Sequence, residues 1–286
     1  MGTIVAVFVL YKMRLEDSPS FLSIIDALSF CSSDLLFYVY DNSPNKQYKE
    51  DDFVNQVPIK YKHDEKNSGL SKAYNAGANW AKSQKANWIL LFDQDTVFMD
   101  NFFERLIFFH DRFSGVGLYA PILKLSDQSI LSPYKYQFHR GFPIKTITSG
   151  KHSLKKMGIV NSGMLIRLDN FFEVGGYNEK VPLDFSDFQF IERYRTKFDS
   201  FCVTDSIGIQ HFSNNEPDVN KLAHRYLHYC IGAHFCNKES IFDRIIYFVI
   251  VFLRAISLTK RTRKNKFLTI FYHTYCRNDF SLYSNL

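Results

Sequence analysis

The run Trp88-Ile89-Leu90-Leu91-Phe92 stops abruptly at Asp93-Gln94-Asp95, and this junction constrains the chain more than any other feature. A short continuous apolar run is what a strand buried on both faces requires, as in a parallel sheet. In open α/β sheets, ligands gather beyond the carboxyl ends of the strands, which is where the two carboxylates fall. Residues i and i+2 share a face of extended backbone, so Asp93 and Asp95 can converge on one cation. Oxygen-only ligands suit Mg²⁺ or Mn²⁺ shared with substrate phosphates. The same triplet also serves as an Asx turn closing a strand, and on these residues alone both readings stay open.

Other segments repeat the pattern. Thr3–Leu10 reads as a first buried strand ending at Tyr11; it lacks the basic start and small-residue cleavage site of a secretory leader. A helix is expected over Ser18–Phe30, with Ser18 as N-cap and Pro19 at its first position. Leu35–Tyr40 is a second strand ending in Asp41-Asn42-Ser43-Pro44, and Ile59–His63 a third. Asn67-Ser68-Gly69 then leads into a helix reaching about Lys82. Such alternation predicts a doubly wound parallel sheet, with residues 1–100 as its nucleotide-binding half. Further on, the pattern predicts a helix over Asn101–Phe113, a strand over Gly115–Leu125, an irregular mobile loop over Ser126–Lys156 and a strand over Gly158–Leu168. Gly163 in that strand would permit close approach of a ligand. A helix from Ser186 to Lys197 puts Asp187 near its N-terminus, where a carboxylate is stabilised with or without a chemical role. A last strand, Phe201–Ile209, ends at His211, a residue type that is structural more often than it is a ligand.

Several chemistries are excluded. There is no G-x-G-x-x-G after the first strand, no P-loop, no H-E-x-x-H, no G-x-S-x-G and no Cys/His cluster. The five cysteines show no metal-ligand spacing and fit reduced thiols. The net charge of +6 is concentrated in Lys260, Arg261, Arg263, Lys264 and Lys266, just after the apolar Ile245–Leu253. That run is too short to span a bilayer. It suits either a helix lying on an anionic membrane surface or a core helix followed by a solvated basic loop.

In combination the motifs become specific. Asp41-Asn42-Ser43 precedes Asn67-x-Gly69-x-x-x-Ala73-x-Asn75-x-Gly77, then Asp93-x-Asp95, Asn161-Ser162-Gly163, Gly175-Gly176-Tyr177, Asp184-x-x-Asp187 and His211. In this order and spacing, residues 3–235 resemble the family-2 inverting glycosyltransferases of the GT-A fold, and more closely the rhamnosyltransferase-like members that build bacterial surface polysaccharides such as O-antigen or capsule. The resemblance implies a GT-A-type mixed, mostly parallel sheet with flanking helices over 1–235, of which 101–235 would be the acceptor half. A helical, basic segment, 236–286, would follow, possible membrane contact included.

The resemblance also implies roles. Tyr11 and Asp41 would hold the base of a dTDP- or UDP-sugar, with Asn67, Gly69, Lys72 and Asp93 near the donor. Asp93, Asp95 and His211 would hold Mg²⁺ or Mn²⁺, and Asp187 would be the general base. The implied acceptor is a polyprenyl-diphosphate-linked glycan at the cytoplasmic face of the plasma membrane, and nucleic acid is not a partner. Two departures stand out: Gln189 where many members have an acidic residue, and Tyr11-Lys12 where many have Tyr-Asn or Tyr-Arg. Arg193 joins Lys72 as a candidate phosphate or acceptor contact. The other readings are a different hexosyl- or galactofuranosyltransferase, a nucleotidyltransferase, and an inactive glycan-binding module.

Overall fold

In a computed structural model, which describes residues 1–30, 34–210 and 218–280, the continuous apolar runs form the middle of one sheet. β1 (Ile4–Leu10) is buried at every position. α1 (Pro19–Asp26) starts at Ser18, whose hydroxyl accepts from the Phe21 N–H. The helix expected to reach Phe30 tightens to a 3-10 turn over Ala27–Phe30. β2 (Leu35–Asp41) follows, then the hairpin β3 (Asp51–Val54) and β4 (Val57–His63), α2 (Leu70–Ser83), β5 (Trp88–Asp93), β6 (Thr96–Phe98), α3 (Phe102–Arg112) and β7 (Leu118–Leu125). Next come β8 (Ile130–Ser132), β9 (Tyr134–Gln137), β10 (Arg140–Phe142), β11 (Gly150–Ser153), β12 (Met157–Gly158), β13 (Met164–Arg167) and α4 (Leu168–Glu173). The remaining elements are α5 (Ser186–Lys197), β14 (Ser200–Gln210), α6 (Val219–Phe235), α7 (Ile241–Thr262) and α8 (Lys266–Ile270).

The large sheet runs β11-β14-β7-β13-β5-β1-β2-β4-β3, with β6 and β8 paired to β14 and β7 off this path. Its centre, β5-β1-β2-β4, is parallel. β13 enters antiparallel between β5 and β7, which makes the sheet mixed. Alternate side chains of β1 go to opposite layers, as the two-residue period of a strand demands. Val5, Val7 and Val9 pack toward α2, α4 and α5, whereas Ile4, Ala6, Phe8 and Leu10 pack toward α1 and α3. Gly77 lets α2 lie close on β1: a Cβ there would stand 2.5 Å from a Val7 methyl.

Two expectations are corrected. Residues 126–156 carry strands rather than one mobile loop, and β9, β10 and β12 make a second small sheet. In β9 the tyrosines Tyr134 and Tyr136 are buried and alternate with exposed Lys135 and Gln137. They pack on Phe188 at the start of α5. The strand expected over 158–168 begins only at Met164, and Asn161-Ser162-Gly163 forms a turn docked on β5 through the Gly163 N–H and Leu91 O, 2.7 Å apart. Gly163 has φ of 77°, and a Cβ there would lie 2.7 Å from Pro121; the close neighbour is the protein itself rather than a ligand.

α6, α7 and α8 form a third core with Val181 and Phe185. The helical layer thus starts at Val219, ahead of the boundary expected at residue 236. α7 combines the two readings of its sequence. Tyr247, Ile250, Val251, Ala255 and Leu258 are buried, while Ile241, Phe242, Ile245, Phe248, Val249, Phe252 and Leu253 face solvent.

Candidate active site

Register brings the ends of β1, β2 and β5 side by side, with Val9 opposite Asp93 and Leu10 opposite Asp41. Gln94, between the two carboxylates, is tied down. Its Oε1 accepts from the Tyr11 N–H at 2.7 Å, its Nε2 donates to Tyr11 O at 3.3 Å, and its carbonyl accepts from the Ser18 hydroxyl at 2.8 Å. Thr96 donates its N–H to Ser20 Oγ at 2.9 Å, and its hydroxyl accepts from Ser162 at 2.9 Å. The turn is therefore fixed on both sides of Asp95, with Asp93 and Asp95 both half-buried. Asp93 Oδ1 accepts from the Tyr74 hydroxyl at 2.7 Å. Burial, reinforced by Asp95 and opposed by Tyr74, pushes the Asp93 carboxyl up to about 6.

Asp187 comes from a different part of the chain. α5 opens on Phe185, which has φ of 70° and gives no side-chain cap. A bulky residue in the left-handed region is strained, and the strain is held by Tyr229 and Tyr247, whose rings lie 4.6 and 5.7 Å from that of Phe185. On the other side, Leu70 N–H donates to Pro182 O at 2.7 Å and the Ser71 hydroxyl to Val181 O at 2.5 Å. The segment leading to Asp187 is thus clamped between α2 and the C-terminal helices. Asp187 Oδ1 accepts from the Phe188 N–H at 2.8 Å, a first-turn amide. Burial, with Asp93 and Asp184 adding to it, lifts the Asp187 carboxyl to about 7. Asp187 and Asp93 therefore feel one another, and the β5 end and the α5 start face a common space.

The frame of that space is built from the widely spaced Asn, Gly and Tyr motifs. Tyr177 N–H donates to Asn75 Oδ1 at 2.8 Å, and Asn75 Nδ2 donates to Tyr177 O at 2.9 Å. The Tyr177 hydroxyl donates to Asn161 Oδ1 at 2.6 Å, and its ring stacks on Phe190 at 4.4 Å. Gly176, at φ of 61°, leaves room that a Cβ would lose to Asn75 Oδ1 at 2.7 Å. Tyr74 and Tyr177, 5.3 Å apart, both have phenols pushed up by burial and by Asp93 and Asp187.

Residues 37–171 match glycosyl transferase family 2. The dTDP-rhamnosyl transferase RfbF of Shigella flexneri is 26% identical over 123 residues, 43% of this chain and 41% of that protein. The match thus spans less than half the length of this curated relative. The S. aureus TarS 1–349 structure superposes with a TM-score of 0.52 at 14% identity, covering 98% of this chain and 74% of TarS 1–349. The same protein solved with UDP gives 0.51 at 12% identity, over 98% and 75%. The likeness to family 2 glycosyltransferases is thus carried by residues 37–171. Its mixed sheet with flanking helices is the GT-A fold.

The expected site residues sort by position. Asp93 lies close enough to Asp187 and to Asp95 for its charge to act on the one and feel the other. Tyr11 offers a ring that is 42% exposed at the β1 end, with Lys12 Nζ 5.1 Å from its centre. Asp41 is fully buried and accepts from Ser43 N–H at 2.8 Å, Gln47 Nε2 at 2.9 Å and the Tyr61 hydroxyl at 2.7 Å. It organises the loop beneath Tyr11, and direct contact with a base would require one of these bonds to be exchanged. Asn67 has φ of 48° and closes a turn onto Asp64 O at 3.0 Å. Gly69 has φ of 93° because its backbone meets Pro182; a Cβ would lie 2.4 Å from Pro182 O. Lys72 Nζ reaches back to Ser68 Oγ at 3.2 Å and Asp64 Oδ2 at 3.8 Å. Arg193 donates from Nη2 to Gly176 O and braces that turn, so one arm of its guanidinium is structural. Gln189, buried, donates to Asn237 Oδ1 at 3.4 Å and ties α5 to the α6–α7 connection. His211 lies outside the described residues.

A divalent cation fits the donor set. Asp93 and Asp95 are adjacent hard carboxylates, one with a raised pKa and only one oxygen taken by Tyr74. Mg²⁺ and Mn²⁺ are commonly held by one or two carboxylates plus substrate phosphates. Among the described residues no group of three His, Cys, Asp or Glu converges. Tyr74, Gln94 and Phe185 were not singled out from sequence. Tyr74 had a usable signal, lying one residue before Asn75 on the α2 face turned to β5.

Proposed function

We propose that the chain is an inverting, metal-dependent transferase that moves a sugar, rhamnose as the first choice, from a dTDP- or UDP-sugar to a hydroxyl of a polyprenyl-diphosphate-linked glycan in O-antigen- or capsule-type synthesis. The observation that carries this reading is the pair of acidic centres facing one space, with different surroundings and a carboxyl lifted to about 7 at only one of them, Asp187. Inversion requires a base on the side opposite the leaving group. The Asp187 carboxyl is close to neutral pH in basicity, so it suits taking the acceptor hydroxyl's proton as that oxygen attacks the anomeric carbon. Tyr74 fixes the Asp93 carboxylate, and Gln94 fixes the turn carrying Asp95. A Mg²⁺ or Mn²⁺ ion held by Asp93 and Asp95 would stabilise the negative charge of the departing nucleoside diphosphate. The exposed Tyr11 ring suits stacking on the base. Similarity to a dTDP-rhamnosyl transferase supports the donor choice.

The same reading places the protein on the inner face of the bacterial plasma membrane. Ile241, Phe242, Ile245 and Leu253 of α7 are 73, 58, 54 and 52% exposed, and the basic cluster follows directly. An apolar face with a basic collar suits the plane of an anionic bilayer. Among the described residues no helix is long and apolar enough to cross a membrane. Purified protein with Mn²⁺ should release a nucleoside diphosphate from one member of a panel of dTDP- and UDP-sugars, faster once a glycan acceptor is added. If no member is turned over or bound, the reading is refuted.

A further inference from the structure

A cavity of about 60 Å³ lies where the loop before α5 meets α6 and α7, away from the turn carrying Asp93 and Asp95. Asp184 lines it, with Arg225 of α6, Arg254 of α7, Tyr229, Leu222 and Leu258. Gly232 makes the close approach of α6 possible, since a Cβ there would lie 2.6 Å from Asp184 O. Asp184 Oδ2 is buried and, among the described residues, has no hydrogen-bond partner. A buried carboxylate oxygen without a donor is uncommon in folded proteins unless another molecule supplies one. The two guanidiniums are exposed and form no ion pair among the described residues, although both act on the Asp184 carboxyl through space. Two arginines and a buried carboxyl therefore line a small recess with aromatic and aliphatic walls.

This combination discriminates between ligand classes. A phosphate would meet the guanidiniums but would also face a carboxylate at the bottom of the recess. A vicinal diol uses every group: its hydroxyl hydrogens go to the Asp184 carboxyl, its oxygens accept from Arg225 and Arg254, and its C–H face rests on Tyr229. The recess is large enough for one edge of a sugar ring and leaves the rest of the sugar outside. It is also connected to the chemistry, because Asp184 lies three residues before Asp187 and its charge contributes to the rise of that carboxyl.

We propose that Asp184, Arg225 and Arg254 form an acceptor subsite that takes the diol edge of a sugar neighbouring the one that receives the new linkage. The proposal rests on the transferase reading and adds the recognition of a second sugar residue. It is tested by saturation-transfer NMR on the full chain with methyl α-L-rhamnoside, methyl β-D-glucoside, methyl β-D-galactoside and methyl β-N-acetylglucosaminide as probes. At least one probe should bind. Arg225→Ala, Arg254→Ala and the isosteric Asp184→Asn should each weaken it about tenfold or more, the effect of losing one charge-assisted hydrogen bond. Both arginines are exposed, so their variants keep the test open if Asp184→Asn fails to fold. Inorganic phosphate should not compete. The proposal is overturned if no glycoside binds, if the variants bind as the wild type does, or if phosphate displaces the probe. Thermal stabilisation by dTDP or UDP with Mn²⁺ is followed in parallel. Its absence in the wild type would count against the transferase reading alone, and it should be unchanged in the arginine variants.

Discussion

Replacing Asp187 by Asn separates a base from a helix cap, because the two roles predict opposite changes in stability. The rise of the carboxyl from an ordinary 3.8 to about 7 corresponds to roughly 4 kcal/mol opposing the ionised form in the folded protein. The sign follows from linkage: a folded-state pKa above the unfolded value means that stability is lost as pH rises from about 4 to about 7. Asn is nearly the same size, carries no charge and still accepts from the Phe188 N–H. Above pH 7 the Asp187→Asn protein should therefore be more stable than the wild type by about 1–3 kcal/mol, allowing for water reaching a half-buried group. Near pH 4 the two should be equal. Sugar transfer should fall by about 10³-fold or more, while nucleotide binding changes little. Urea unfolding at several pH values, alongside product formation, checks both halves. If the variant is less stable than the wild type at pH 8 and keeps its activity, Asp187 is a cap and the assignment fails.

Three further outcomes follow from the same geometry. Tyr74→Phe removes the donor to Asp93 Oδ1 and should weaken Mn²⁺ binding by about threefold to tenfold, the effect of one lost hydrogen bond to a carboxylate; electron paramagnetic resonance titration of free Mn²⁺ reads this, and unchanged affinity would exclude the tyrosine's role. Gly69→Ala forces a Cβ to 2.4 Å from Pro182 O at a φ of 93° and should destabilise by about 2 kcal/mol or more, measured by urea unfolding; a neutral result would mean that the α2 start moves freely from the 181–187 segment. His139 sits 2.7 Å from Glu192 and 3.0 Å from Asp243; burial alone lowers its pKa, but the two carboxylates outweigh it and the net shift is upward. Its contribution is therefore full below the unfolded value of about 6.5 and is lost as pH rises through the folded one, so His139→Gln should destabilise more at pH 6 than at pH 9, and an equal loss at both would contradict the pairing.

The central strands could be read from sequence because burial on both faces leaves continuous apolar runs, as in Ile4–Leu10 and Trp88–Phe92. The short strands could not. β6 has three residues and β12 two, and their pairing depends on partners distant in the chain: β6 on β14, β12 on β9. The tyrosine alternation in β9 was a local signal that the surrounding Lys, His and Gly obscured. Among the site residues, the carboxylates at Asp93, Asp95 and Asp187 were marked by position and motif, but the reason for the motifs was not. Asn75, Gly176, Tyr177 and Asn161 prove to be one hydrogen-bonded frame. Asp41 shows the reverse: a strand-end carboxylate that looks available in sequence is saturated by Gln47 and Tyr61, which lie 6 and 20 residues further on. Where α6 belongs was equally hidden, because an amphipathic helix does not announce which neighbour will cover it.

The account stands on Asp93 and Asp95 holding the donor's diphosphate through a cation. Calorimetric titration of dTDP and of UDP, with and without Mn²⁺, into the wild type and into Asp95→Ala tests this most directly. The predicted result is that Mn²⁺ tightens one of the two nucleotides by about tenfold or more in the wild type and has no such effect in the variant. Binding that is indifferent to Mn²⁺, or equally strengthened without Asp95, would contradict it.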